Sequence, residues 1–196
     1  MSNRGKLYDR IKRPADLAMA VLLALLLVWP TVVLIIIIRC TSAGPVLYWS
    51  DRVGKNNKIF KMPKLRSMRI DTPVVASHLL IDPHAYLTPI GRFLRVTSLD
   101  ELPQLWCIIK GEMSFVGPRP ALFNQSDLIQ LRTDYGIQIL LPGLTGWAQI
   151  NGRDELGTVE KVAFDFAYLE RRSLSFDAKI LVKTLFKVIS RDAVIH

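Results

Sequence analysis

The sequence predicts a mostly helical α+β protein associated with a membrane, with a small β-hairpin and amphipathic interfacial helices. Three observations carry that expectation. From Leu17 to Ile38 there is no charged residue, short apolar and basic pieces alternate between residues 44 and 70, and the last forty residues carry amphipathic helical repeats.

At about 1.5 Å per residue, the uncharged run of roughly 22 residues is long enough to cross a hydrocarbon core of about 30 Å. It exceeds a secretory h-region and so reads as an anchor, not a signal peptide. Pro30, after Trp29, removes a helix hydrogen bond inside the run and predicts a kink. Arg4, Lys6, Arg10, Lys12 and Arg13 precede the run against Asp9 and Asp16. Arg39, Arg52, Lys55, Lys58, Lys61, Lys64, Arg66 and Arg69 follow it against Asp51 alone. Basic segments prefer the cytoplasm, and a run with two cytoplasmic ends turns back instead of spanning. A Pro-kinked re-entrant helix hairpin therefore competes with a plain spanning helix. The chain divides into a basic N-terminus and membrane helix over 1–40 and a membrane-surface domain over 41–196.

With 196 residues, no second independent enzyme domain fits. A net charge of +9 and a pI near 9.8 call for an anionic partner. Beside the apolar run, that partner is a lipid or a phosphorylated substrate and not nucleic acid. Cys40 and Cys107 form no disulfide or zinc pattern, and His78, His84 and His196 lack metal-ligand spacing. No Walker A string, G-x-G-x-x-G or D-x-D pair occurs, which argues against P-loop, Rossmann and metal-dependent GT-A-type nucleotide handling.

Pro45-Val46-Leu47-Tyr48-Trp49, a Gly54-Lys55-Asn56-Asn57-Lys58 turn and Ile59-Phe60-Lys61 read as a β-hairpin. Asp71 to Leu87 reads as an irregular loop. Arg92 and Arg95, three apart, share a helical face suited to a phosphate or simply to solvent. Leu122 to Ile139 reads as helical. Residues 141–153 read as turns around one strand-like segment, with Asn151-Gly152 as a hairpin-type turn. Thr158 to Leu169 is amphipathic, with Asp165 between Phe164 and Phe166 and free to point outward by helical rotation. Ser175 to Ser190 predicts a last helix, with Ile180, Leu181, Leu185, Val188 and Ile189 on one face. Its row of Lys179, Lys183, Lys187 and Arg191 is either the wet side of a core helix or a contact with anionic headgroups.

The chemistry concentrates between Thr97 and Pro120, in TSLDELPQLWCIIKGEMSFVGPRP. Asp100 and Glu101 stand just before an apolar helical repeat, and Arg119 sits in a stiff Gly117-Pro118-Arg119-Pro120 loop. Carboxylates can act as nucleophile, proton acceptor or Mg2+ ligand, and an arginine fork matches phosphate oxygens, so the pairing suggests phosphoryl chemistry. The competing explanation is structural: Ser98 followed by Glu101 fits a capping box, and acids suit a first helical turn. Pro103 tells against a simple cap at Ser98 and predicts a later or distorted helix start near Asp100.

That stretch resembles the bacterial sugar transferase family, the monotopic phosphoglycosyl transferases that start glycan assembly on a membrane polyprenol. Gly91-Arg92-Phe93-Leu94-Arg95 matches the family's G-R-x-x-R segment, and Lys64-Leu65-Arg66-Ser67-Met68 is similar to its basic motif. Leu141 to Arg153 resembles its P-G-x-T-G-x-A-Q-x-N-G-R string. The likeness covers nearly the whole chain, in order. The chain departs from it at Pro63, where the family rarely has proline, at Cys107, usually Asn, and at Glu112, usually Asp.

The resemblance implies a re-entrant helix and a catalytic domain on the cytoplasmic face of the inner membrane. It implies transfer of a phosphosugar from a UDP-sugar to polyprenol phosphate, giving polyprenol diphosphate sugar and UMP. Asp100 would be the nucleophile and an Mg2+ ligand, and Glu101 would assist with metal or proton. Arg92, Arg95, Arg119, Arg153, Lys64 and Asp165 would contact substrate. No motif specifies the sugar. The competing function is a non-enzymatic membrane-anchored adaptor for anionic lipid, which would release no UMP from UDP-sugars.

Overall fold

The apolar run and its basic N-terminal flank form one helix. The computed structural model describes residues 3–73, 82–152 and 155–189. Helix α1 spans Asn3–Thr41 with Pro14 and Pro30 inside it. Beside Pro30, the Thr31 hydroxyl donates to the Leu27 carbonyl at 2.7 Å. The helix is long and apolar enough to cross a membrane. Its middle is bare, with Leu25 and Trp29 70% and 76% exposed, whereas Ala20, Leu34 and Ile38 are buried against the rest of the chain.

Both ends of α1 are fastened to the same body. Near its start, Lys12 reaches Asp177 at 2.9 Å and Asp16 at 3.0 Å, and Tyr8 donates to Asp177 at 2.9 Å. Ser114 donates to Asp16 at 2.7 Å, and Tyr168 donates to Asp177 at 2.9 Å. Asp16 and Asp177 are buried, and each carboxylate is compensated by more than one donor, as a buried charge requires. Past its end, Arg66 donates to the carbonyls of Ser42 and Ala43, in the turn that follows the helix. Lys12 and Arg13, read from sequence as membrane-flanking charge, turn inward.

The expected hairpin forms. Strand β1 (Leu47–Val53) pairs antiparallel with β2 (Ile59–Leu65) from Leu47↔Leu65 to Val53↔Ile59. Asn56 and Asn57 turn the chain in the left-handed region, which asparagine tolerates. Helices α2 (Gly91–Val96) and α3 (Leu105–Lys110) lead to β3 (Ser114–Val116) and β4 (Ala121–Leu122). Strand β4 adds to the other edge of β1, giving the order β2-β1-β4.

Helix α4 covers only Ser126–Asp134, shorter than expected, because Gly136 at φ 72° ends it before a separate turn at Ile137–Ile139. The strand-like segment is β5 (Gly143–Thr145), parallel to β3. Asn151-Gly152 makes no hairpin: β5 pairs with a distant strand, and the intervening α5 (Trp147–Ile150) is closed by Asn151 donating to the Trp147 carbonyl.

Helices α6 (Thr158–Arg171) and α7 (Leu174–Ile189) bury Val162, Tyr168 and Ile180. The main core joins α1, α3, β3 and α5–α7 through Ala20, Ile108, Phe115, Ile150, Tyr168 and Ile180. Part of the expected α7 core face is bare: Leu185 is exposed, as is its neighbour Phe186. Lys179 and Lys183 sit over the Trp147 ring at 6.0 and 5.6 Å.

Candidate active site

The acid pair lies on an irregular helix start. Residues Leu99–Gln104 form a 3-10 turn that contains Pro103 and runs into α3. Ser98 precedes it at φ 56° and its side chain makes no capping bond, so the capping box does not form. The turn closes through Glu101 N–H and the Ser98 carbonyl at 3.1 Å. With no cap to make, the Glu101 carboxylate takes a partner from another element. Lys64 Nζ lies 2.8 Å from Glu101 Oε1 and 3.7 Å from Asp100 Oδ2. Lys64 follows Pro63 on β2, an edge strand where a residue without N–H is tolerated, so Pro63 does not displace it.

Arg119 reaches the same carboxylate oxygen, with Nη1 3.9 Å from Glu101 Oε1. Its loop is set by close backbone packing. A Cβ on Gly146 would lie 2.1 Å from the Gly117 carbonyl oxygen, and one on Gly143 would lie 2.2 Å from Gly117 N. Only glycine allows this approach, which lets Gly117 N–H donate to Thr145 O at 3.0 Å and Gly143 N–H donate to Pro118 O at 2.8 Å.

Arg95, on α2, is close enough to act electrostatically on Asp100, while Arg92 on the same helix is exposed. Arg153 lies outside the described residues, as do 74–81 of the expected loop and Arg191. Asp165 does not point outward. It is 1% exposed and paired with Arg132 Nη2 at 2.6 Å, so it is a buried ion-pair partner, not a surface contact. Arg132, which sequence reasoning passed over, and Arg52, read only as basic flank of the apolar run, both donate to this loop, to the carbonyls of Arg119 and Pro120 at 2.9 and 3.1 Å. Their spacing in sequence carried no signal.

Asp100 is 7% exposed. Burial pushes its carboxyl above the ordinary range. Lys64 pulls it down, Glu101 pushes it further up, and Arg95 and Arg119 oppose that rise. Among the described residues no three His, Cys, Asp or Glu side chains gather as a metal cage. Mg2+ that keeps waters and shares substrate phosphates needs only one or two carboxylates. Asp100 and Glu101 fit that kind of ion. The arrangement can thus present one carboxylate to phosphorus and a second to a proton or metal, with fixed cations around both.

The fold is thus a helical α+β domain with a long apolar helix and a carboxylate pair framed by Lys64 and Arg119. The family model described as bacterial sugar transferase matches residues 7–191, and the chain belongs to that family. It is 40% identical, over 90% of its length, to the UDP-glucose:undecaprenyl-phosphate glucose-1-phosphate transferase of Escherichia coli, and covers 40% of that protein. It is 37% identical to the UDP-galactose-lipid carrier transferase of Erwinia amylovora, over 93% of this chain and 41% of the relative. It is also 37% identical to the exopolysaccharide production protein ExoY of Rhizobium meliloti, over 89% of this chain and 83% of that one. The chain spans under half the length of the first curated relatives it matches.

Proposed function

We propose that the protein is a phosphoglycosyl transferase that moves a phosphosugar from a UDP-sugar to polyprenol phosphate, releasing UMP. The carrying observation is the buried Asp100 beside Glu101, with Lys64 at 2.8 Å and Arg119 at 3.9 Å from the Glu101 carboxylate. Relatives named as undecaprenyl-phosphate sugar transferases support the same reading.

An Asp100 oxygen attacks the β-phosphorus of the UDP-sugar. The bond from that phosphorus to the bridging oxygen breaks, and UMP leaves with the electron pair. The polyprenol phosphate oxygen then attacks the same phosphorus, and the Asp100 carboxylate leaves. Glu101 accepts the proton of the lipid phosphate. Lys64, Arg95 and Arg119 offset charge on the diphosphate, with Arg92 and Arg153 as further contacts. Mg2+ held by Asp100 and Glu101 would, when bound, neutralise phosphoryl oxygens.

The membrane arrangement is part of the proposal. Residues 1–40 form a re-entrant segment that enters one leaflet of the inner membrane and returns, and 41–196 lie on its cytoplasmic face, facing membrane lipids. The fastening of both ends of α1 to one body, by Lys12 and Arg13 and by Arg66, supports a shared side. Single-cysteine labelling near the N-terminus that reports the periplasm would overturn this arrangement.

The reaction is tested with Asp100→Asn, which keeps size and polarity. Wild type given UDP-sugar and Mg2+ without lipid should release about one equivalent of UMP and carry a phosphosugar adduct, as a two-step route requires. The variant should fold and do neither. Mass spectrometry of the peptide holding Leu99 to Leu105 decides: turnover with lipid but no adduct would mean direct attack by the lipid phosphate. An absence of UMP release from every UDP-sugar would favour the adaptor reading.

A further inference from the structure

We propose that Arg132 is a positioning residue for phosphosugar transfer: held by Asp165, it fixes the Arg119 carbonyl and so aims the Arg119 guanidinium at the acid pair. This rests on the transferase reading above.

The loop Gly117-Pro118-Arg119-Pro120 is poor in backbone donors. Two of its four residues are prolines, which have no N–H to share, so its shape is set by what donates to its carbonyls. Each donor comes from a different element. Gly143 N–H donates to Pro118 O at 2.8 Å, Arg132 Nη1 donates to Arg119 O at 2.9 Å, and Arg52 Nη1 donates to Pro120 O at 3.1 Å. The middle donor acts on the residue whose side chain faces Glu101.

Arg132 is itself fixed by charge. Its Nε and Nη2 lie 3.0 and 2.6 Å from one oxygen of Asp165, which is 1% exposed. A carboxylate at that depth requires a partner, and Arg132 is the cation that meets it. The guanidinium is planar, so two nitrogens pinned on Asp165 set the direction of the third. That third nitrogen ends on Arg119 O. Asp165 thus acts on the site through Arg132 and the loop backbone, at a distance from substrate. This accounts for a buried acid on α6 without placing it among the substrate contacts.

The test uses the full chain in detergent or nanodiscs, with UDP-sugar and polyprenol phosphate. Arg132→Lys keeps a cation for Asp165 but lacks the planar fork that also reaches Arg119 O. It should lower kcat/KM about tenfold or more, with the melting temperature held within about 4 °C. In an Arg119→Ala background the same change should have little further effect, because coupled residues are non-additive. Full additivity, or unchanged kcat/KM in Arg132→Lys, would overturn the proposal. Should that variant not fold, the neutral pair Arg132→Gln with Asp165→Asn goes through the same cycle without leaving a lone buried charge. Hydrogen exchange over Gly117–Leu122 should rise in either variant, and unchanged exchange overturns the proposal. That readout needs no turnover, so a wild type inactive on all UDP-sugars would sink the transferase reading while exchange still decides whether Arg132 holds the loop.

Discussion

Arg13 on the long helix α1 donates Nη2 to the Ile109 carbonyl at 2.8 Å, closing the C-terminus of α3, the short helix that follows the acid-bearing turn. A second nitrogen of the same guanidinium donates to the Ile108 carbonyl. A cation there meets carbonyls of the last helical turn and the negative end of the helix dipole. The long apolar helix and the acid-bearing element are thereby tied together.

Arg13→Gln should therefore cost about 2 kcal/mol of stability, since hydrogen bonds to a charged donor are among the stronger ones. Thermal melting in detergent measures it. Arg13→Lys should recover only part, because a point charge does not span two carbonyls.

The raised Asp100 carboxyl predicts a pH profile. As the proposed nucleophile, Asp100 must be ionised, so adduct formation should rise with pH, and its acid limb should lie above the ordinary aspartate value of about 3.9. Lys64→Met removes the cation that pulls the carboxyl down, so the limb should move to still higher pH. Stability has the opposite slope. A folded-state pKa above the unfolded one means the folded chain holds the proton more tightly, so this contribution is present at low pH and is lost as pH rises through the folded pKa. Asp100→Asn should flatten that loss, which melting curves across pH will detect.

Gly146→Ala should damage the site from a distance. The new Cβ would stand 2.1 Å from the Gly117 carbonyl oxygen, so β5 and the Arg119 loop must part. Overpacking of this kind costs about 1–3 kcal/mol, and a small displacement of a positioned group can cost about 100-fold in kcat/KM. Transfer assays and melting curves together separate the two effects.

Exposed Leu185 and Phe186 on α7 predict membrane contact by apolar burial. Their joint change to serine should weaken binding to anionic liposomes about tenfold or more. Lys179→Ser with Lys183→Ser should have a smaller, salt-dependent effect, because both ammonium groups already sit over Trp147. Co-sedimentation at two salt concentrations checks both.

The sequence by itself determined the long apolar helix, the β1–β2 hairpin and the adjacency of Asp100 and Glu101. These depend on runs, alternation and turn residues within a few positions of one another. Even the distorted helix start at Asp100 was legible, because Pro103 cannot donate where a regular helix would need it. Tertiary structure alone decided which charges meet. It brought Lys64 to Glu101 across 37 residues, gave Asp165 to Arg132 across 33, and turned Lys12 and Arg13 from membrane flanks into internal ties. Periodicity says which face of an element is apolar, but a buried charge is satisfied by whatever donor packing brings within about 3 Å, and that distance is not written in spacing along the chain.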